Sequence, residues 1–405
     1  MVPNGWEKTN LTHLISIKHG FAFKSEYFRE TGEYILLTPG SFYEKGGFKD
    51  QKDKTKYYIG EIPNSYLLSK NDLLIAMTEQ ASGLLGSALF VPEQNIYLHN
   101  QRLGKVEIKA KERIDLNFLY LMFNSPLARK QISEQSTGTK VKHTSPDKLK
   151  SIICLLPPLP EQQKIANILA TWDKAISTTE RLIDNSTQQK KALMQQLLTG
   201  TKRLLDDEGK RFEGEWEEVK LSAVAQITMG SSPKSESYNE VGDGLPLLQG
   251  NADIKNRKSV PRIYTSQITK ECHVDDILFS VRAPVGTVAV SKHHACIGRG
   301  IAAIKAKKNH SQDYLYQWLL SFELKWERYS QGSTFEAVNS NDIKSLNLSV
   351  PNLKEQQKIA TVLTNADKEI ELLEQQLADL QQEKKALMQV LLRGKKRVVV
   401  DGEIA

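Results

Sequence analysis

The sequence predicts a multi-domain α/β (α+β) protein in which two globular modules are separated by two long antiparallel coiled-coil helices, as a pseudo-two-fold internal repeat. Two observations support this prediction. A chain of 405 residues is long for a single domain and sufficient for two units of roughly 150 residues each. In addition, a 43-residue segment occurs twice along the chain, and a repeat of this kind constrains the whole architecture.

The repeated segment predicts one long helix in each copy. Residues 161–203 match residues 355–397 at a constant offset of 194 without a gap, and 23 of the 43 aligned positions are identical. Both copies begin with Glu-Gln-Gln-Lys-Ile-Ala, directly after a proline-containing segment that blocks an earlier start of the helix. Neither copy contains proline or glycine before Gly200 or Gly394, which suit a left-handed cap at a helix end.

Apolar residues in both copies recur at alternating spacings of four and three, which is the pattern of a coiled-coil seam. We expect the two helices to pair with each other, because duplication within one chain already supplies a partner helix. Lys190 and Lys384 occupy matching seam positions, where a polar residue fixes the register at some cost in stability. A coiled coil that joins two copies of the chain is the alternative. The residues predicted to pair the helices are Ile165, Leu169, Trp172, Ile176, Ile359, Leu363, Ile370 and Leu373.

The composition argues against a membrane protein or a disulfide-stabilised one. No stretch approaches the ~20 consecutive apolar residues of a membrane span, and the N-terminus lacks a signal segment. The three cysteines never form a Cys-x-x-Cys pair, so we expect a protein of the reducing cytoplasm. The net charge of +7 permits a nucleic-acid partner. Because residues 214–350 hold 16 basic against 15 acidic residues, any such site depends on local clusters of charge.

The modules differ more than the repeated helices do. They begin alike, with Trp6-Glu7 and Trp216-Glu217, and both contain strand-like apolar runs, but their interiors share little identity. Closely repeated spacers and divergent modules are what a protein with two different targets needs. The predicted segments are a first module (1–156), a central helical spacer (157–203), a second module (204–350) and a C-terminal helical spacer (351–405).

These motifs resemble the specificity subunit of Type I restriction-modification enzymes, over the full length of the chain. The resemblance rests on Pro-Pro-Leu-Pro-Glu-Gln-Gln-Lys-Ile-Ala at 157–166, the related run at 351–360 and the two Lys-Lys-Ala-Leu-Met-Gln stretches. It implies that each module is a target-recognition domain for one half of a bipartite DNA sequence, and that the helices set the spacing. The second copy departs at Asn352, where the first has Pro158, and we expect a small local effect.

The resemblance also implies the partners: double-stranded DNA, two DNA methyltransferase subunits docked on the helices and two restriction subunits. S-adenosylmethionine, ATP and Mg²⁺ are expected on those partners, with no cofactor on this chain. The sequence itself contains no Gly-x-x-x-x-Gly-Lys-Ser/Thr loop and no Asn/Asp-Pro-Pro-aromatic run. We therefore expect a non-catalytic subunit in defence against foreign DNA. The alternatives are a coiled-coil scaffold that binds only proteins, and a nuclease whose active site the motifs do not reveal.

Some residue types suited to metal ions do occur. Cys272-His273 and His293-His294-x-Cys296 follow no closed structural zinc pattern, so we expect no metal there. The acidic pairs Asp206-Asp207 and Asp275-Asp276 are expected in solvated turns, since no lysine at nuclease-like spacing accompanies them.

Recognition of DNA needs Arg, Lys, Asn, Gln, Ser and Thr side chains presented to base edges and phosphates. In the first module, the polar and basic segments 99–102 and 137–144 fit this requirement. In the second module, segments 298–300 and 331–341 occupy the corresponding places, and 256–262 adds further charge. The predicted DNA-binding residues are Arg102, Thr139, Lys140, Lys142, His143, Arg257, Lys258, Arg262, Arg299, Ser333, Thr334, Asn339 and Asn341.

Overall fold

The computed structural model describes residues 2–79, 83–331 and 338–400, except for the side chains of 324 and 327–331. The chain divides into two compact units: unit 1 combines Met1–Thr178 with Leu377–Ala405, and unit 2 is Thr179–Gln376. This division cuts both long helices, whereas the four segments predicted from the sequence treat each helical spacer separately. Among the described residues, no helix is both long and apolar enough to cross a membrane.

The two repeated segments form the two longest helices of the described residues, which confirms the prediction of one long helix in each copy. The α-helices are α1 Leu116–Phe123, α2 Pro126–Glu134, α3 Pro146–Lys150, α4 Leu159–Leu197, α5 Leu221–Val224, α6 Gln312–Gln331, α7 Ser340–Lys344 and α8 Leu353–Leu391. Short 3-10 helices occur at Ser25–Tyr27, Pro39–Ser41, Lys52–Lys54, Asn64–Tyr66, Ser235–Ser237 and Asn251–Asp253.

Unit 1 contains two four-stranded sheets, ordered β2-β10-β6-β8 and β3-β5-β4-β9, and the two-stranded pairs β1-β12 and β11-β7. Its strands are β1 Glu7–Asn10, β2 Ile15–His19, β3 Phe28–Arg29, β4 Tyr34–Leu36, β5 Tyr57–Tyr58, β6 Leu73–Ala76, β7 Thr78–Glu79, β8 Ala88–Phe90, β9 Tyr97–Leu98, β10 Leu103–Ile108, β11 Lys142–His143 and β12 Ile153–Leu156. Strand β1 pairs antiparallel with β12, so the start of the module lies beside the strand that leads into α4.

Unit 2 contains a six-stranded sheet, β14-β24-β21-β22-β18-β17, a five-stranded sheet, β15-β19-β16-β23-β20, and the pair β13-β25. Its strands are β13 Glu217–Lys220, β14 Ala225–Met229, β15 Tyr238–Asn239, β16 Leu245–Leu248, β17 Ile254–Lys255, β18 Lys258–Ser259, β19 Ile263–Thr265, β20 Glu271–Cys272, β21 Ile277–Ser280, β22 Val288–Val290, β23 Ala295–Ile297, β24 Ile301–Ala306 and β25 Asn347–Val350. The pair β13-β25 repeats the arrangement of β1 and β12.

The central strands β6 and β21 explain why the modules carry unbroken apolar runs. In β6, Leu73 and Ile75 pack in the cluster that includes α1 and α4, while Leu74 and Ala76 pack toward the second sheet. In β21, alternate residues likewise belong to two different apolar clusters. A strand that is buried on both faces needs apolar residues at every position, so the period-two pattern is lost. All four residues of each strand are buried.

A buried ion pair ties the two long helices to the start of the module in unit 1. The Glu161 carboxylate, in the first turn of α4, accepts hydrogen bonds from Arg397 Nε (2.7 Å) and Nη2 (2.8 Å). The indole nitrogen of Trp6 donates to the same carboxylate at 2.9 Å, and the Arg397 guanidinium lies 5.8 Å from the Trp6 ring centre. Since Glu161 is only 3% exposed, a carboxylate at this position would be costly to bury without these partners.

Unit 2 contains the same arrangement one repeat later. Glu355 is fully buried and accepts from Arg203 Nε at 2.6 Å and Nη2 at 2.7 Å, and the guanidinium lies 5.9 Å from the Trp216 ring centre. The copies differ at the tryptophan, because the buried Trp216 indole nitrogen has no hydrogen-bond partner among the described residues. We call these two groups, Trp6–Glu161–Arg397 and Trp216–Glu355–Arg203, the clamps.

The first glutamine of each Glu-Gln-Gln motif holds the helix that precedes it in the module. The side-chain oxygen of Gln162 accepts from the backbone of Asp115, the N-cap of α1, at 2.9 Å. Gln356 accepts in the same way from the backbone of Ser311, just before α6, at 3.0 Å. Both amides also donate to the carbonyl of the proline five residues earlier. The repeated motif therefore joins each module to its long helix.

Both ends of the helices follow local rules. Asn352 is the N-cap of α8 and accepts from the backbone of Glu355 at 3.0 Å, whereas the Pro158 carbonyl accepts the equivalent bond in the first copy. The departure at Asn352 thus replaces one cap by another. Gly200 and Gly394 have φ of 70° and 62°, which is the left-handed conformation predicted for these caps.

The helices run antiparallel within each unit. In unit 1, Asp173 of α4 pairs with Lys384 of α8 at 2.5 Å; in unit 2, Lys190 pairs with Asp367. Each seam lysine therefore has a carboxylate partner on the other helix. Of the residues predicted to pair the helices, four are buried in the clusters that also contain module residues and four are half-buried further along. The buried ones are Ile165, Leu169, Ile359 and Leu363, and the half-buried ones are Trp172, Ile176, Ile370 and Leu373.

The substitution Glu355→Gln is expected to destabilise unit 2 by about 3 kcal/mol, because it leaves Arg203 without its charge partner at a buried position. Urea unfolding measures this change, and hydrogen exchange assigns it to residues of unit 2. The matched control is Glu208→Gln, which breaks an exposed pair with Lys210 and should change stability by less than about 0.5 kcal/mol. Equal stability of both variants would show that the clamp does not hold the unit together.

Candidate nucleic-acid interface

In unit 1 the structure brings together two segments that the sequence analysis selected separately. Met77 follows the central strand β6, and its backbone joins both segments: its N–H donates to the Arg102 carbonyl at 3.0 Å, and its carbonyl accepts from Thr144 at 2.9 Å. Strand β11 then pairs antiparallel with β7, with Lys142 opposite Glu79. Arg102 and the 137–143 loop therefore lie at the same edge of the unit.

The 137–143 loop is a tight hairpin with a basic tip. Thr137 and His143 exchange backbone hydrogen bonds of 3.0 and 2.8 Å. Gly138 has a φ of 98°, and a Cβ there would lie 2.0 Å from the carbonyl oxygen of Val141, so no other residue fits. The exposed tip presents Thr139 and Lys140 to solvent.

The hairpin's other predicted residues are partly engaged. Lys142 is half-buried, with its ammonium 3.4 Å from the Ser133 hydroxyl, and the His143 ring lies 3.2 Å from the Thr78 hydroxyl. Glu79 is buried, and one carboxylate oxygen accepts the backbone N–H groups of residues 83, 84 and 85. These contacts fix the base of the hairpin and leave its tip free for a ligand.

Unit 2 has the same backbone junction at Val281, which follows β21. Its N–H donates to the Gly300 carbonyl at 3.0 Å, and its carbonyl accepts from Val338 at 2.9 Å. Arg299 is exposed beside this junction, with its backbone N–H 3.1 Å from the Ser232 hydroxyl. Segments 298–300 and 338–341 therefore meet as 99–102 and 137–144 do in unit 1.

The polar residues after this junction have different surroundings. Asn339 caps α7, since its side-chain oxygen accepts from the backbones of Asn341 (2.8 Å) and Asp342 (3.1 Å). The Asn341 side chain is exposed. Ser333 and Thr334, also predicted to bind DNA, lie outside the described residues.

The basic residues of segment 256–262 are held by carboxylates. Arg257 pairs with Glu323 at 2.7 Å, Lys258 with Glu371 at 3.2 Å, and Arg262 with the buried Asp253 at 2.8 Å. The sequence could not reveal the first two partners, because Glu323 and Glu371 belong to the distant helices α6 and α8. An arginine or lysine that already neutralises a carboxylate offers less charge to a phosphate, so these three are weaker candidates than Arg299.

Arg282 is a candidate that the sequence analysis missed. It directly follows the junction residue Val281, is exposed, and has no hydrogen bond or ion pair through its side chain among the described residues. The Ser280 hydroxyl donates to the carbonyls of Arg282 (2.9 Å) and Pro284 (3.0 Å), which fixes the loop backbone. An arginine at the end of a buried strand was the available signal, but only the junction places it beside Arg299.

His99, in contrast, is a core residue. It is 2% exposed, and its ring nitrogen Nε2 donates to the Leu103 carbonyl at 3.0 Å. Burial lowers the pKa of His99 to about 4, so the ring is neutral at physiological pH. This hydrogen bond to Leu103, the residue after Arg102, stabilises the turn that presents Arg102.

A cavity of about 840 Å³ in unit 1 lies between α1, α2 and the long helices, and its lining includes Tyr120, Asp173 and Lys384. Burial raises the pKa of the Tyr120 phenol to about 12, so the phenol stays protonated. Asp173 is already paired with Lys384. The Tyr120 phenol therefore lacks the near-neutral pKa of a general acid or base, and the Asp173 carboxylate is held in an ion pair.

The model of the Type I restriction modification DNA specificity domain matches this chain over residues 3–185 and 213–382. The chain belongs to this family. Both matches include one module with its junction and part of a long helix, so the internal repeat is a repeat of the family's domain. The repeat of this domain accounts for the occurrence of the junction, and of the tryptophan and glutamate of the clamp, in both units.

The curated relatives agree with this assignment, and the solved structures share the fold. The chain is 32% identical to a putative type I restriction enzyme MjaX specificity subunit from Methanocaldococcus jannaschii, over 98% of this chain and 95% of the relative. It is 23% identical to the EcoBI specificity subunit of Escherichia coli, over 88% of this chain and 78% of the relative. The fold resembles that of the Type-I S subunit from M. genitalium, with a TM-score of 0.63 at 15% identity over 97% and 98% of the two chains. It also resembles a chain from a study of type I R-M complex assembly, with a TM-score of 0.61 at 23% identity over 98% of this chain and 100% of that chain.

The pKa of His99 gives this family member a pH-dependent stability. Between about pH 6.5 and pH 4 the unfolded chain binds a proton at this position that the folded chain does not, so stability falls as the pH falls through this window. As the pH falls through this window, the free energy of unfolding of the His99→Gln variant should decrease by up to roughly 3 kcal/mol less than that of the wild type. Thermal unfolding between pH 7.5 and 4.5 measures this difference, with the exposed His13→Gln as control. Parallel curves for wild type and His99→Gln would contradict it.

Proposed function

We propose that the chain is the sequence-specific DNA-recognition subunit of a Type I restriction-modification complex, with each module binding one half of a bipartite target. The observation that carries this proposal is the shared junction. Met77 and Val281 occupy the same position after the central strand, and each joins two polar segments at one edge. The frame is the same in both units and the side chains on it differ, which suits two different half-sites.

The side chains at each junction supply the chemistry of recognition. Arg102, Thr139 and Lys140 are exposed at the first junction, and Arg282 and Arg299 at the second. Arginine forms paired hydrogen bonds with guanine in the major groove, and lysine and threonine suit phosphates and bases alike. The first module adds a basic hairpin and the second adds two arginines, so the two half-sites differ in sequence.

The helices hold the modules and carry the partners in this proposal. Leu182 of α4 is 46% exposed and Leu372 of α8 is 71% exposed, so the helix pair retains apolar surface that a partner helix could cover. We assign this surface to two DNA methyltransferase subunits, to which two restriction subunits are added. The subunit itself is non-catalytic and binds no cofactor. S-adenosylmethionine, ATP and Mg²⁺ belong to the partners, and the complex acts in the cytoplasm on double-stranded DNA.

The double substitution Lys140→Ala and Lys142→Ala is expected to weaken DNA binding by the complex with methyltransferase subunits. Loss of two phosphate contacts should reduce the slope of log K against log salt by up to about 2. The measurement is a fluorescence titration with the target duplex at several salt concentrations. The control is Lys109→Ala with Lys111→Ala, which removes the same charge beyond the opposite end of β10. If both double variants show the same slope as the wild type, the hairpin is outside the interface.

Arg282→Ala is expected to impair recognition of the half-site bound by unit 2 and to spare the other half-site. A lost base contact costs about 1–3 kcal/mol, or roughly tenfold to a hundredfold in affinity. Mapping of methylated adenines in cells that express each variant complex gives the change in consensus, with Arg102→Ala as the reciprocal variant for the first half-site. Arg211→Ala, an exposed arginine of unit 2 outside the junction, is the control. A relaxed first half-site in the Arg282→Ala map would contradict the assignment of modules to half-sites.

A further inference from the structure

The edge of the five-stranded sheet in unit 2 carries two histidines and a glutamate that face one another. Strands β20 and β23 pair antiparallel, with Cys272 opposite Ala295. Glu271 begins β20, His273 directly follows that strand, and His294 directly precedes β23. One ligand atom from each of Glu271, His273 and His294 lies within 4.8 Å of the other two.

The three ligand atoms lie close enough for small side-chain movements to place them around one ion. The His294 Nε2 atom lies 2.6 Å from a carboxylate oxygen of Glu271. The rings of His273 and His294 are stacked, with centroids 4.8 Å apart and an interplanar angle of 10°. Two neutral imidazoles and one carboxylate form the ligand set of open zinc sites, in which water completes the coordination. All three side chains are exposed, so a hydrated ion has direct access.

A carboxylate behind His273 fits the same interpretation. Asp276 is nearly buried; its carboxylate accepts the backbone N–H of His273 at 2.7 Å and lies 3.8 Å from the ring nitrogen Nδ1. In protein metal sites, the ring nitrogen that does not bind the metal commonly points to a carboxylate, which orients the ring. With Asp276 on the Nδ1 side, the Nε2 atom of His273 is the nitrogen available to the ion.

The cysteines, which gave the sequence its zinc-like appearance, are not part of this cluster. Cys272 and Cys296 are fully buried, and burial raises the pKa of the Cys272 thiol, so it stays protonated and binds metal poorly. His293 is also engaged elsewhere, 2.8 Å from the Ser259 hydroxyl. The expectation of no metal considered a closed cysteine–histidine pattern, whereas the structure groups His273 and His294 with an acidic residue.

We propose that Glu271, His273 and His294 bind a divalent transition-metal ion that ties β20 to the start of β23. Imidazole and carboxylate ligands suit Zn²⁺, Ni²⁺, Co²⁺ and Cu²⁺, and Zn²⁺ is the ion we assign. Strand β23 leads from this site directly to Gly298, whose N–H donates to the Leu248 carbonyl, and to Arg299. The ion therefore braces the strand whose far end carries an arginine of the junction, and it stabilises unit 2 without contacting DNA.

Metal titration of the full-length chain without an affinity tag tests this site. Isothermal titration with ZnCl₂ should show one equivalent bound in the micromolar range or tighter, and Co²⁺ should give visible absorption bands of a protein-bound ion. The double variant His273→Gln with His294→Gln should lose at least a hundredfold in affinity, and Glu271→Gln about tenfold. The matched control replaces two exposed histidines of unit 1, His13→Gln with His19→Gln, and should bind as the wild type does.

Zn²⁺ should also raise the unfolding temperature of the wild type and of the control, but not that of the double variant. Absence of saturable binding by the wild type overturns the proposal, as does unchanged affinity in the double variant. Circular dichroism shows whether the double variant folds. If it does not fold, the Zn²⁺ affinity of Glu271→Gln provides the test. This exposed side chain lies on β20, the edge strand of its sheet, so its loss leaves the core unchanged.

Discussion

The buried carboxylates of Glu161 and Glu355 are the interaction on which each unit depends. Each lies in the first turn of a long helix and accepts two hydrogen bonds from an arginine that follows the end of the other helix. A buried carboxylate without its partner is costly by several kcal/mol, so the helices have one favourable register. Because Trp6 and Trp216 pack on the same arginines, that register also fixes where each module begins.

The clamp explains which residues the repeat keeps. The glutamate carries the buried charge, the first glutamine holds the N-terminal end of α1 or α6, and Ile165 and Ile359 fill the core below. Each of these contacts depends on the particular side chain. Positions further along the helices, such as Ile176 and Leu373, are half-buried, and their neighbours in the repeat differ more freely.

Charged side chains in these modules have two distinct uses. Arg257 and Arg262 neutralise carboxylates within unit 2, and therefore stabilise the fold. Arg282 and Arg299 lie at the junction, exposed and on a backbone fixed by strand pairing. A polyanionic ligand would therefore bind to Arg282 and Arg299 and not to the two arginines that are already paired. Net charge gives no means of separating the two groups, because both count equally in it.

The sequence by itself determined the two helices, their limits and the alternation of repeated and divergent segments. This information is local: spacing of apolar residues, proline before the helix and glycine after it act within a few residues of where they occur. The strand-like runs around Leu74 and Leu278 were predicted for the same reason, and the family resemblance added what the divergent modules bind.

Tertiary structure alone decided which side chains meet. Strand pairing puts Arg102 beside the Lys140 hairpin and Arg282 beside Arg299, although many residues separate them along the chain. It also occupies Arg257 with Glu323, and gathers Glu271 with His294 at one sheet edge. The physical reason is that an ion pair, a ligand set or an interface depends on distance in space, which a single sequence without its folded contacts does not contain.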